Sequence, residues 1–242
     1  MDQQTKAALK RDQFIDTTQH GLDWASENRH SVIVGSIALI AVLVVAIVGA
    51  IIYNSRSNQA NIAFGQAMQA YQTPLAQAGE PVPPGIKTFP SVTDRAKAAN
   101  ALFMATADKY SFTPKGKLAR YFGGLTYIEA GDNAAAESTL KKVADGWNHD
   151  LAALAKLSLA DLYRQTGRDS LAIGIYNELT AKPTSTVSAG LAQLQLAELY
   201  ETEGKPEDAK KIYAQLKDKD AKGAAGTLAA QKLNPSPAAP PQ

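Results

Sequence analysis

Apolar residues follow two different rhythms along the chain. From Ser31 to Tyr53 (SVIVGSIALIAVLVVAIVGAIIY) they run without interruption, and between Arg29 and Arg56 the only ionisable groups are His30 and the Tyr53 phenol. At about 1.5 Å per residue this stretch reaches about 34 Å, slightly more than the roughly 30 Å hydrocarbon core of a bilayer. A buried core helix of this length would carry a polar face, and none is present. A cleaved signal peptide fits no better. Thirty residues precede the run, and it continues through Ile51 and Ile52, past the small-residue site Val48-Gly49-Ala50. The pattern predicts one membrane-spanning helix over 31–53 that stays as an anchor.

Its orientation follows from basic residues, which resist translocation. Lys6, Lys10, Arg11 and Arg29 precede the helix, whereas Arg56 is the only basic residue for some way after it. Residues 1–30 are then a cytoplasmic tail, partly helical or disordered. Trp24 and Tyr53 fall where interfacial aromatics sit. The Ser31-xxx-Gly35 and Ala46-xxx-Ala50 spacings resemble small-residue contacts between membrane helices, a common feature of such segments.

Beyond the anchor the rhythm changes to that of amphipathic helices. Ile62 or Phe64, Met68, Tyr71 and Leu75 recur at helical spacing within 58–77, as a stalk or as the first helix of a domain. Gly79 to Pro90 (GEPVPPGIKTFP) breaks the pattern with four prolines, so 54–90 reads as a stalk helix and a proline-rich linker. Ser91 opens a helix with Val92, Ala96, Ala99, Phe103 and Tyr110 along it. Thr113-Pro114 starts the next, as an N-cap followed by proline in the first turn.

From Lys117 the sequence repeats. Gly124-xx-Tyr127-xxx-Gly131-xxxx-Ala136-xxx-Leu140 recurs as Ala160-xx-Tyr163-xxx-Gly167-xxxx-Ala172-xxx-Tyr176, and again as Ala197-xx-Tyr200-xxx-Gly204-xxxx-Ala209-xxx-Tyr213. Each unit predicts two helices, A and B, joined at the glycine. Small residues let the helices cross closely, and the glycine accepts the positive φ that ends helix A. Gly124, Ala160 and Ala197, with Tyr127, Tyr163 and Tyr200 and with Ala136, Ala172 and Ala209, are the expected repeat-packing residues. The pattern resembles the tetratricopeptide repeat, whose period is about 34 residues. It departs where that family carries tryptophan, which is Arg120, Lys156 and Gln193 here, and at Gly123, which replaces leucine. The expected fold is all-α: one transmembrane helix followed by a tetratricopeptide-like domain over 91–233. Its repeats fall at about 117–150, 153–186 and 190–220, with a capping helix after Lys222 and a disordered proline-rich tail over 234–242.

Composition narrows the function. With 242 residues, 20% charged and a formal net charge of +2, the chain has no basic block that would mark a nucleic-acid partner. It has no cysteine, hence no disulfide or thiolate chemistry. His20, His30 and His149 lie on unrelated segments and supply no metal site, and no phosphate loop or serine elbow is present. Neither a cofactor nor an enzymatic activity is expected. Asp161 and Glu198 read as solvated or groove-lining charges rather than an acid/base pair. Trp147, in Gly146-Trp147-Asn148-His149, reads as a wedge between repeats rather than a ligand contact.

What remains is binding of other proteins. Aligning the A helices puts Tyr121, Leu125 and Ile128, then Leu157, Asp161 and Arg164, then Leu194, Glu198 and Glu201 on one concave face. That groove has an apolar floor and a mixed rim, suited to an extended or helical peptide. Tyr121, Leu125, Ser158, Leu191 and Gln195 stand where carboxylate-clamping repeats carry lysine and asparagine, which speaks against such a clamp.

Asp23-Trp24-xx-Glu27-Asn28-Arg29 before a single anchor, Asn61-xxx-Phe64 after it and a carboxyl-side repeat domain are together similar to the YfgM-like ancillary subunits of the SecYEG translocon. The resemblance implies a bacterial inner-membrane protein with its N-terminus cytoplasmic and its repeat domain periplasmic. Its partners would be translocon subunits, periplasmic chaperones or exported chains. The rival expectation is a scaffold for envelope assembly or cell division.

Overall fold

The computed structural model describes residues 27–76, 85 and 87–234. The expectations for the tail before Glu27, for most of the proline-rich insert and for the tail after Asn234 lie outside these residues. Two compact units are present, Met1–Ser55 and Arg56–Gln242. Among the described residues the regular structure is nine helices: α1 (Arg29–Gln72), α2 (Val92–Lys109), α3 (Pro114–Glu129), α4 (Asn133–Ala144), α5 (His149–Gln165), α6 (Asp169–Ala181), α7 (Ala189–Thr202), α8 (Pro206–Lys219) and α9 (Ala224–Leu233).

Within the first unit, α1 carries the apolar run, with Ile33, Leu39, Val45 and Ile51 all exposed. It is the one described helix long and apolar enough to cross a membrane.

In the second unit, each helix from α2 onward packs against its successor. Helix starts are set by side-chain caps at the positions where the sequence supplies them. Ser91, Thr113, Asp132, Asn148 and Ser188 each accept a backbone N–H of the first turn at 3.0–3.1 Å. Each such cap contributes about 1 kcal/mol. The A helices end alike. Gly131, Gly167 and Gly204 have φ of 83°, 68° and 74°. The following N–H of Asp132, Arg168 and Lys205 then reaches back to the carbonyls of Tyr127, Tyr163 and Tyr200 at 2.8–2.9 Å. This six-to-one bond, with glycine in the left-handed region, is the Schellman motif. The tyrosine-to-glycine spacing that marks the repeat is therefore also the spacing that closes helix A.

Residues 56–72 of α1 serve as the first helix of this unit, one of the two roles the sequence left open. Phe64 and Ala67 are buried with Ala99, Phe103, Ala107 and Ala119. Phe64 lies 5.6 Å from Phe103, which stacks on Phe122 at 5.3 Å. Buried Asn100 donates from Nδ2 to the Gly123 carbonyl at 2.8 Å and to Thr126 Oγ1 at 3.0 Å, fixing α2 on α3. Gly123, the departure from the repeat pattern, has its reason here. A Cβ at this position would lie 2.6 Å from Met104 Sδ, so glycine permits the close approach of α2. The proline-rich segment is tied at its ends, where Ala76 N–H donates to the Phe89 carbonyl and Phe89 N–H to that of Pro74.

Candidate partner-binding surface

The second unit holds two repeat-centred cores. One gathers Leu140, Ala155, Leu159, Ala160, Tyr163, Ala172 and Tyr176; the other gathers Leu194, Ala197, Ala209, Tyr213, Leu216, Ala225 and Ala229. Ala136, Ala160, Ala172 and Ala197 are fully buried, and Ala209 nearly so. At Gly124 a Cβ would fall 2.6 Å from Leu140 Cδ2, so any side chain here would force Leu140 to shift. Tyr127 and Tyr200 are half-buried and Tyr163 is buried. The Arg168 guanidinium lies 4.5 Å from the Tyr163 ring centroid, and Lys205 repeats the arrangement over Tyr200 at 5.8 Å.

The A helices α3, α5 and α7 are joined along one face by side-chain hydrogen bonds. Tyr121 OH lies 3.3 Å from Ser158 Oγ, and Arg164 Nη1 donates to Gln195 Oε1 at 2.9 Å. Tyr121, Ile128 and Leu157 are partly buried against the first core, and Leu125 is half-exposed, so this end of the face is apolar. Toward α7 it becomes charged. Tyr176 OH donates to Asp161 Oδ1 at 3.0 Å, and burial raises the Asp161 carboxyl above its usual range, against that hydrogen bond and the charge of Arg164. Asp161, Arg164 and Gln165 line an open cavity of about 630 Å³ together with Asp169, Leu199 and Thr202. Glu198 is half-exposed and within electrostatic reach of Arg164. Glu201 accepts from Lys232 of α9 at 3.2 Å.

Two expectations are corrected. Leu194 is only 8% exposed and lies in the second core. It aligns with Tyr121 and Leu157, but α9 packs on both α7 and α8 and encloses it, so it is core rather than groove floor. Trp147 is 95% exposed and wedges between nothing. Asn148 caps α5, which turns the chain at once and leaves the preceding indole outside.

Sequence reasoning missed the Asn100 clamp and the ion cluster at Glu137, where Lys141, Arg168 and Tyr163 donate at 2.7, 2.6 and 3.0 Å. Hydrogen bonds from Lys141 and then Arg168 hold the Glu137 carboxyl down at about 2. Among the described residues, no three histidine or acidic side chains gather in a metal-holding group.

A family model described as Tetratricopeptide repeat-like domain matches residues 23–175, more than half of the chain. A second, described as Tetratricopeptide repeat, matches residues 191–222. No curated protein and no solved structure matches the chain. The first span takes in α1 and α2 as well as the pairs α3–α4 and most of α5–α6, and the second takes in α7–α8.

Proposed function

Because the chain belongs to the tetratricopeptide repeat-like domain family, we propose that it is a membrane-anchored interaction scaffold that assists protein export. Its repeat face would hold translocon subunits, periplasmic chaperones or exported chains. The observation that carries the reading is the α3–α5–α7 face. Tyr121, Leu125 and Leu157 offer apolar area, while Arg164, Gln195 and Glu198 offer polar groups beside it. An extended or helical peptide uses both kinds of contact, and repeat surfaces of this class are built for it. The apolar half of α1 would serve as the inner-membrane anchor, with the basic N-terminal side cytoplasmic.

The test is cross-linking in cells from a photoreactive residue at Leu125 or Glu198, with the captured proteins identified. Export-machinery subunits, chaperones or nascent exported chains are the expected products. Capture of envelope-assembly or cell-division proteins in their place would refute the export reading and favour the other scaffold.

A further inference from the structure

Among the described residues of the second unit, two aromatic side chains are almost fully exposed: Phe112 at 89% and Trp147 at 95%. Both occupy loops that lead from a B-type helix to the next A helix. Short connections between packed neighbours make consecutive helices antiparallel, so these loops share one edge of the unit. Lys117 and Arg120, just after the Phe112 loop, line one cavity of about 160 Å³ with Lys142 and Trp147. The edge is also basic. Residues 108–117, 141–150, 182–188 and 217–223 hold nine lysines against five aspartates. At the opposite edge, residues 129–133, 165–169 and 201–208 hold seven acidic residues against Arg168 and Lys205.

We infer that this edge docks on an anionic lipid bilayer, with Phe112 and Trp147 entering the interface and the lysines facing the headgroups. Exposed aromatics on an edge rich in lysine suit a bilayer surface, where the ring sits among headgroups and each cation gains from the negative surface potential. A tether argues for the same occupant. Tyr110 OH donates to Gln59 Oε1 at 3.3 Å, two residues before Phe112. By chain length alone, Gln59 can lie at most roughly 22 Å from Tyr53, the outer limit of the apolar run. The inference rests on the membrane anchoring proposed above.

The experiment uses the full chain carrying Trp24→Phe, which leaves Trp147 as the only tryptophan. It is reconstituted into vesicles of brominated phosphatidylglycerol and phosphatidylcholine, and retention is checked by flotation. The expected result is a shift of Trp147 emission to shorter wavelength and loss of most of its intensity to bromine quenching. Quenching should weaken on phosphatidylcholine alone and in a variant with Lys109, Lys115, Lys117 and Lys142 changed to Gln. A second reporter, Phe112→Trp in a Trp24→Phe, Trp147→Phe background, should behave alike. A chain that floats while Trp147 keeps a water-exposed, unquenched emission overturns the docking and leaves the anchor standing. A chain that does not float overturns both. Emission that shifts only with protein density overturns the lipid assignment in favour of a second copy, and equal quenching on neutral vesicles overturns the role of the lysines.

Discussion

Replacing Gly124 by alanine tests whether the repeat is held by close helix crossing. The added Cβ would lie 2.6 Å from Leu140 Cδ2 and 2.7 Å from Cγ. Ordinary carbon contacts are about 3.5 to 4.0 Å, so Leu140 must retreat by about 1 Å. It has nowhere to go, being fully buried among Ala155, Leu159 and Ala160. Overpacking of this kind costs about 1 to 3 kcal/mol, offset by the roughly 0.5 to 1 kcal/mol that alanine gains over glycine inside a helix. The net expectation is a loss of about 0 to 2.5 kcal/mol, read as a melting temperature lower by up to about 10 °C at roughly 2 to 4 °C per kcal/mol. The assay is thermal unfolding of the full chain in detergent, followed by circular dichroism. Gly174→Ala is the control, because no atom outside its own backbone surroundings lies within 4 Å of its Cβ position. It should gain about 0.5 to 1 kcal/mol. A cycle with Leu140→Ala, itself costing about 2 to 5 kcal/mol, sharpens the test. In that background the new methyl enters space the leucine has left, so Gly124→Ala should become neutral or stabilising. Identical effects of Gly124→Ala in both backgrounds would refute the crossing.

Other expectations are briefer. Glu137 has its carboxyl lowered from an ordinary 4.5 to about 2, so its ion cluster stabilises the fold above pH 4.5 and that contribution fades as pH falls toward about 2. Glu137→Gln should flatten this part of an acid-unfolding curve and cost about 1 to 3 kcal/mol at neutral pH; an unchanged acid branch would remove the cluster from the stability account. Leu194→Ala should lower stability by about 2 to 5 kcal/mol, whereas Leu157→Ala should weaken partner cross-linking more than it weakens the fold. Equal melting temperatures for these two variants would contradict their different burial. For topology, Thr5→Cys and Ser57→Cys provide unique thiols in a chain without cysteine. An impermeant reagent on intact cells should label position 57, and labelling of position 5 alone would reverse the orientation.

The repeat was legible because its periodic positions are fixed by backbone requirements. A Schellman turn needs a residue at positive φ, and a close crossing needs a side chain no larger than methyl. Both leave glycine or alanine at fixed offsets from tyrosine, whatever surrounds them. Partner faces obey no such constraint. Tyr121, Leu157 and Leu194 occupy one repeat position, yet α9 buries the third and leaves the other two partly open. Burial there depends on the neighbour of each repeat, and no pattern inside a repeat encodes its neighbour. Trp147 failed as a wedge for a related reason. An apolar residue in a turn carries no periodicity, so its size argued for burial, while the Asn148 cap decided its direction. Phe112 gave no periodic signal either. Gly123 shows the reverse case, since its departure from the repeat consensus marked a place where α2 approaches α3, with the Met104 side chain against it.

Both ends of the helical series are covered, which supports the proposal that partners use its lateral face. A repeat exposes apolar area on each side along the series, and a terminal repeat must have that area covered. Here the covers differ in chemistry. At α9 the contact is made by small residues, Ala225, Gly226 and Ala229, whose size lets the helix lie close to the Tyr213 and Leu216 layer. Lys232 then pins it to Glu201. At the other end the cover is aromatic, with Phe64 and Tyr71 of α1 set edge-on against Phe122 at 5.7 and 6.2 Å. Beside them Tyr71 donates to Glu129, and Arg95 lies 3.9 Å from the same carboxylate. Burial, followed by the Glu129 hydrogen bond, pushes the Tyr71 hydroxyl up to about 12, so it stays protonated and keeps donating at physiological pH. An end sealed by interlocked rings and a protonated donor is unsuited to accept another helix pair. On the reading proposed above, binding energy would then come from the side chains of α3, α5 and α7, where Arg164 and Gln195 hold adjacent repeats in register and Leu125 remains half-exposed.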